Sequence, residues 1–141
     1  MSRENLEKGL ALHQAGKLAE AEVIYRDVLS SDEANPDALH FLGLIAQARG
    51  ELAEAVDLIV RAIEAAPDRP TFPFNLAVTY GAMGELAKAA QAYQTAVDLK
   101  SDWPEALVNL GTVLGQLQNY GPAESAFRQA LELTPNEGAA L

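Results

Sequence analysis

The 141-residue sequence contains no cysteine, few β-branched residues and half as many basic as acidic side chains. Without cysteine, the chain has no disulfide framework, no thiolate nucleophile and no cysteine ligand for zinc. Valine and isoleucine together number 12, against 26 alanines and 20 leucines. Because alanine and leucine favour helices and β-branched residues favour strands, this composition predicts an all-helical protein.

The charge balance and the lack of long apolar runs restrict the class of partner. Ten lysines and arginines against 20 aspartates and glutamates give a net charge of −10, which argues against nucleic acid and anionic membranes as partners. No apolar run approaches the roughly 20 residues that span a bilayer. The polar N-terminal residues are followed by no apolar signal region, so a cytoplasmic protein is expected.

Similar residues recur along the whole chain at one fixed interval, without gaps. The interval is the number of positions from Gly16 to Gly50, which is the same as from Gly50 to Gly84. Small residues form two columns at this interval, at Gly9, Gly43, Ala77 and Gly111 and at Ala21, Ala55, Ala89 and Ala123. A column of larger side chains contains Tyr25, Ile59, Tyr93 and Phe127. Other columns contain Val28, Ala62, Ala96 and Ala130, and Leu18, Leu52, Leu86 and Tyr120. So many columns in one register indicate an internal repeat.

Each period predicts two helices joined by a turn. Gly16, Gly50 and Gly84 follow apolar-periodic stretches, where a left-handed residue ends a helix. Pro36, Pro70 and Pro104 are expected to open the first helices of the later units. The predicted helices cover residues 3–15, 18–31, 37–49, 52–66, 71–83, 86–100, 104–117 and 120–133.

On these columns the chain resembles four tandem tetratricopeptide repeats, at 2–35, 36–69, 70–103 and 104–137. The second unit carries the family pattern as Leu42-Gly43, Ala55, Ile59, Ala62 and Pro67, and the fourth as Leu110-Gly111, Leu114, Ala123, Phe127, Ala130 and Pro135. The resemblance implies a right-handed α-solenoid of four helix-turn-helix units. It makes residues 1–141 a single domain, with 138–141 as a short tail. Polar Asn5 and Lys8 stand where apolar residues are expected, which suggests the start of the array.

Few residues suggest catalysis or metal binding. His13, His40 and Asp37 could together hold a metal ion, but the alternative is that the two imidazoles are solvated or line a groove. The acidic residues occur in all four units and are interpreted as solvated outer helix faces rather than an acidic docking surface. We therefore expect no catalytic residue, no metal and no cofactor, and a protein that is not an enzyme.

The resemblance implies that the first helices of the units line a concave groove. The expected peptide-binding residues there are Leu10, His13, His40, Leu44, Phe74, Asn75, Val78 and Asn109. Asn75 and Asn109 lie one repeat interval apart, similar to the asparagine ladder of peptide-modifying glycosyltransferases, although asparagine can also occur there for local reasons. Phe74 is the expected partner anchor, whereas Trp103 is expected to pack between helices.

The resemblance implies a protein-protein interaction module or scaffold that binds a protein or peptide in its groove. Very similar repeats precede bacterial glycosyltransferases, methyltransferases and sulfotransferases, so a substrate-recruiting region of a larger enzyme is the alternative. A third class is a self-assembling structural module. The last helix carries the apolar residues Phe127, Leu131 and Leu133. Leu131 and Leu133 would normally lie under a following helix, so we expect them to be partly exposed. Either a longer protein was cut here or another copy covers them, and weak self-association through this helix is expected.

Overall fold

A computed structural model describes residues 2–134, which form eight α-helices and no strand. The helices are α1 Ser2–Gln14, α2 Leu18–Ser31, α3 Pro36–Ala48, α4 Leu52–Ala65, α5 Thr71–Ala82, α6 Leu86–Leu99, α7 Pro104–Gln116 and α8 Tyr120–Leu133. The predicted bounds agree with these to within one residue. The predicted all-α fold class is confirmed. The expected tail, residues 138–141, lies outside the described residues.

The helix contacts divide the described residues into two compact units, unit 1 before residue 69 and unit 2 from residue 69 onward. In unit 1, α1 packs against α2, α3 packs against α4, and α3 also packs against α2. In unit 2, α5 packs against α6, α7 packs against α8, and α7 also packs against α6. Each unit therefore contains two helix-turn-helix pairs. None of the helices in residues 2–134 is long and apolar enough to cross a membrane.

Each pair turns through one residue in the left-handed conformation. Gly16, Gly50 and Gly84 have φ angles of 80°, 78° and 78°. The fourth turn uses Gln118, with φ 66°, although a side chain is strained in this region. Its neighbour Asn119 still donates its backbone N–H to the Leu114 carbonyl at 2.8 Å, the bond that closes the other three turns. The turn geometry is therefore retained without glycine.

Two of the predicted prolines begin first helices. Pro36 and Pro104 are the first residues of α3 and α7, whereas Pro70 lies one residue before α5, outside the helix it was expected to open. Asn35 caps α3 by accepting a 3.0 Å hydrogen bond from the Ala38 N–H. A proline in the first turn costs no hydrogen bond, since that N–H has no partner within the helix.

The two helices of a pair approach so closely that some contact positions admit only glycine. A Cβ at Gly43 would lie 2.6 Å from Ile59 Cγ1, and one at Gly9 would lie 2.5 Å from Tyr25 Cε1. Both neighbouring side chains are fully buried and cannot withdraw. The small column on the second helices, which contains Ala55, also leaves no space for a larger side chain, because Ala55 has no exposed surface. The small-residue columns found in the sequence are therefore the helix-helix contacts.

Charged side chains lie mainly on the helix surfaces, where several form pairs one turn apart. One cluster joins separate elements of unit 1: Glu22 accepts hydrogen bonds from Arg49 at 2.7 Å and from Arg26 at 3.0 Å. The bond from Arg49, followed by that from Arg26, lowers the pKa of Glu22. Exposed pairs of this kind contribute little individually.

Replacing Ala55 by Leu tests the close helix contact in the second pair. We expect Ala55→Leu to lower the free energy of unfolding by about 1–3 kcal/mol, because three added carbon atoms have no space. Urea denaturation gives this value. Ala53→Leu is the matched control on the exposed side of the same helix and should leave stability nearly unchanged. Equal stability of both variants would show that the register of the small column is wrong.

Candidate peptide-binding face

The eight expected peptide-binding residues all lie on the first helices of the pairs, four in each unit. Unit 1 carries Leu10 and His13 on α1 and His40 and Leu44 on α3. Unit 2 carries Phe74, Asn75 and Val78 on α5 and Asn109 on α7. Seven of the eight side chains are partly exposed, but His40 is only 6% exposed. His40 therefore offers a ligand far less surface than the sequence interpretation assumed.

In unit 1, the structure gathers an aromatic cluster around Phe41. Its ring stacks on Tyr25 at a centroid distance of 5.3 Å, and His40 lies 5.6 Å away. The ring of His13 meets Phe41 edge-on at 6.4 Å. Phe41 and His13 are partly exposed, while Tyr25 is fully buried beneath them. This arrangement gives unit 1 a surface of ring edges and faces that can hold an apolar side chain.

Two polar atoms of this cluster are buried without a hydrogen-bond partner. They are Nδ1 of His13 and the hydroxyl of Tyr25. Burial lowers the pKa of His13 and raises the pKa of Tyr25 to about 12. Both shifts favour the neutral forms at pH 7, so neither His13 nor Tyr25 adds a charge to this surface.

In unit 2, Phe74 belongs to a packed group of three aromatic rings. It stacks on Trp103 at 4.6 Å with an interplanar angle of 19°, and its edge meets Tyr93 at 5.6 Å. The ammonium group of Lys100 lies 5.2 Å from the centre of the Trp103 ring. Trp103 thus takes the packing role expected of it. Phe74 is partly exposed, but much of its ring is already held by neighbours.

The asparagine residues of unit 2 are also engaged within the protein. The Asn109 amide shares a hydrogen bond with the Tyr93 hydroxyl, which is itself buried. Asn75 also interacts with another group of the protein. An amide has two donors and two acceptor lone pairs, so Asn109 keeps capacity for a peptide group after this bond. This interaction links Asn109 on α7 to Tyr93 on α6.

The metal hypothesis for His13, His40 and Asp37 finds no assembled set of ligands. Within residues 2–134, no group of three or more histidine, aspartate or glutamate side chains is placed to hold a metal ion. His40 lies beside Phe41, and His13 lies beside both Phe41 and Tyr25. Both imidazoles therefore contribute to the aromatic cluster.

The three residues expected to mediate self-association lie on α8 and are exposed. Leu131 is 68% exposed, Leu133 is 43% exposed and Phe127 is 38% exposed. Phe127 and Leu131 line a pocket between α7 and α8 that also includes Asn109. The expectation that Leu131 and Leu133 would be partly exposed is confirmed.

The binding residues expected from the sequence include neither Tyr25 nor Phe41. The repeat columns place Tyr25 only among the packing residues. The repeat spacing is the signal that could have identified Phe41. Phe41 stands one repeat interval before Asn75 and two before Asn109. At this position of the repeat, the side chain meets the second helix of the preceding pair. The bond between Asn109 and Tyr93 repeats the contact between Phe41 and Tyr25.

Models of the tetratricopeptide repeat match the chain at residues 12–72 and 104–137, and a further model, described as a TPR repeat, matches residues 79–118. The chain belongs to the tetratricopeptide repeat family. Comparison with curated proteins finds no match.

Solved structures show the same fold over nearly the whole chain. A crystal structure of MamA is 22% identical and has a TM-score of 0.89, covering 98% of this chain and 81% of that one. MamA from Desulfovibrio magneticus RS-1 is 21% identical with a TM-score of 0.85, covering 96% of this chain and 77% of that one. A tetratricopeptide repeat protein from Parabacteroides merdae is 31% identical with a TM-score of 0.83; the match covers 94% of this chain and 53% of that protein.

The hydroxyls of the two buried tyrosines differ, because that of Tyr93 has a hydrogen-bond partner and that of Tyr25 has none. Replacing each tyrosine by phenylalanine tests this difference. Tyr93→Phe breaks the bond to Asn109 and should cost about 0.5–1.5 kcal/mol of unfolding free energy. Tyr25→Phe removes a buried hydroxyl that has no partner, so stability should stay level or rise by about 1 kcal/mol. Urea denaturation of both variants gives the comparison. Equal losses would contradict the assignment of Tyr25 as unbonded.

The burial of His13 predicts a loss of stability in mild acid. In the unfolded chain His13 takes up a proton near its ordinary pKa of 6.5, whereas burial lowers its pKa in the folded protein. Between these values the unfolded state binds more protons, so the free energy of unfolding falls as the pH drops below 6.5. His13→Gln should lose less stability than the parent between about pH 7.5 and about pH 5.5. Identical losses in parent and variant would contradict a role for His13.

Proposed function

We propose that this chain is a protein-interaction module that binds a peptide or an extended segment of a partner protein on the faces formed by its first helices. The general class is that of the tetratricopeptide fold, typically a non-catalytic scaffold for protein interaction. The particular face and the type of ligand are the proposal. In this role the region presents or holds a partner and turns over no substrate.

The observation that carries the proposal is the partly exposed aromatic cluster of unit 1. Phe41 is fixed from behind by its stacking on buried Tyr25, so its ring is already ordered before a ligand arrives. A pre-ordered aromatic surface loses little conformational entropy on binding. Leu10 and Leu44, also partly exposed on α1 and α3, add apolar surface in the same unit.

Unit 2 offers a second apolar surface with a polar element. Val78 and Phe74 lie one turn apart on α5 and are both partly exposed. Gly81 lies on the same helix, and a Cβ there would meet no atom within 4 Å, so the surface beside it is open to a ligand backbone. The remaining donors and acceptors of Asn109 can bind peptide groups. Because none of these side chains is charged, the proposed ligand is recognised through apolar side chains and its backbone.

A second copy of the chain is the other partner that we propose. The supporting observation is Leu131, a large apolar side chain that is 68% exposed on α8. Apolar patches exposed in this way favour association. The association is weak in this proposal, since two copies that each carry a net charge of −10 repel one another.

The peptide-binding proposal is tested with a random dodecapeptide library displayed on phage and selected on the immobilised protein. A recovered peptide is then synthesised, and its Kd is measured for the parent, Val78→Ser and Val23→Ser. Val78→Ser should weaken binding by about tenfold, because a contact residue on the proposed face is lost. Val23, 69% exposed on the second helix α2, is the matched control and should change Kd less than about twofold.

Leu44→Asn gives the corresponding test for unit 1, and thermal denaturation verifies that each variant is folded. A library that yields no binding peptide would contradict the proposal. So would a peptide whose Kd responds to Val23→Ser but to neither Val78→Ser nor Leu44→Asn.

A further inference from the structure

The surface of α8 forms part of an open apolar pocket in unit 2. The pocket has a volume of about 650 Å³ and lies between α7 and α8. Its lining residues are Pro104, Glu105, Val108, Asn109, Phe127, Ala130, Leu131 and Thr134. Val108 is 43% exposed and Leu131 is 68% exposed, so the two helices present one continuous apolar surface.

The preceding helix pair shows what such a surface looks like when it is covered. Tyr93 and Val97 on α6 stand one repeat interval before Phe127 and Leu131, and they are only 6% and 7% exposed. Besides α5 of its own pair, α6 packs against α7, the first helix of the next pair. At the same two positions of the repeat, the exposed fraction of the residue rises from 6% and 7% on α6 to 38% and 68% on α8. The α8 surface therefore has the shape and chemistry of a surface that receives a helix.

The first helix of a second copy is a poor occupant for this surface. The covering helices α3 and α7 bury an Ala-Leu pair and a leucine three residues later, which are Ala38, Leu39 and Leu42 and Ala106, Leu107 and Leu110. The corresponding residues of α1 are Glu4, Asn5 and Lys8. Stacking α1 of one copy on α8 of another would remove these polar groups from water, which is costly without partners. Head-to-tail stacking of copies is thereby disfavoured.

Pairing α8 with itself has no such cost. We infer that two copies associate through an antiparallel, two-fold contact between their α8 helices, in which Phe127 of one copy packs opposite the partner's Leu131. This inference rests on the self-association proposed above. A two-fold contact repeats each interaction, so the partner's Phe127 packs on Leu131 in the same way.

The charges beside the apolar stripe suit this pairing. Arg128 and Glu132 lie one turn apart on the same flank of α8, each next to an apolar residue of the stripe. In the antiparallel arrangement, Arg128 lies about 3 Å along the helix axis from the partner's Glu132, within reach of the arginine side chain. Arg128 also bonds Glu124 of its own helix at 2.7 Å, and this exposed pair leaves further guanidinium donors free. Two reciprocal ion pairs result.

Sedimentation of the whole chain over a hundredfold concentration range, at about 0.15 M salt, tests this arrangement. The parent should show a monomer-dimer equilibrium. Leu131→Glu should weaken the dimer by at least about tenfold, since it buries an unpaired carboxylate. Gln129→Glu is the matched control, because it adds the same charge to the opposite side of α8 and should change the dimer Kd less than about threefold.

Charge reversal then tests the pairing itself. Arg128→Glu or Glu132→Arg alone places like charges together and should weaken the dimer by about tenfold, and the double variant should recover to within about threefold of the parent. A strictly monomeric parent would overturn the proposed self-association. A dimer insensitive to Leu131→Glu would show that α8 is not the contact. Single reversals without effect, or without rescue in the double variant, would contradict the antiparallel pairing and leave the self-association standing.

Discussion

The close approach of the two helices in each pair is the constraint on which the other features depend. At Gly43 the backbone lies so near Ile59 that a methyl group would come within 2.6 Å of that side chain. Close packing of this kind fixes the rotation of each helix about its axis, because only one face carries the small residues. Once that face is fixed, the residues one turn away are directed either to the neighbouring pair or to solvent. The candidate binding residues are among them.

The third pair shows how this constraint shapes a functional surface. Ala77 stands where the other pairs have glycine, and it is fully buried. The ring opposite it belongs to Tyr93, which lies against Phe74 and bonds Asn109. In the first pair, where Gly9 leaves more room, Tyr25 is fully buried and its hydroxyl has no partner. Where the small column has Ala77 instead of Gly9, the tyrosine at the facing position therefore makes different contacts: Tyr93 has a polar partner, and Tyr25 has none.

The sequence predicted the helices well because each boundary has a local cause. The left-handed glycines end the first helices, and Pro36 and Pro104 begin two of them, so the repeat interval places every element. The site was less predictable, because exposure depends on neighbours that are remote in sequence. His40 was expected to line a groove and is buried, and the ring of Phe74 is stacked on Trp103. A repeat register identifies the helix face of a residue, but not the surface that its neighbours leave free.

The same limitation explains why the two surfaces that we propose differ in character. The first-helix faces consist of side chains that are partly held by neighbours, as Phe41 is by Tyr25, and such pre-ordered surfaces suit a flexible peptide. The α8 surface consists of side chains that equivalent positions elsewhere bury under a helix, as Val97 is buried. A surface of that kind is complementary to a rigid helix rather than an extended chain. Asn109 belongs to both surfaces of unit 2, but Phe74 and Val78 do not line the α8 pocket, so a dimer formed through α8 leaves these two residues available to a peptide. Each dimer then presents two copies of the peptide-binding face, which can raise the avidity for a partner that carries the recognised segment more than once.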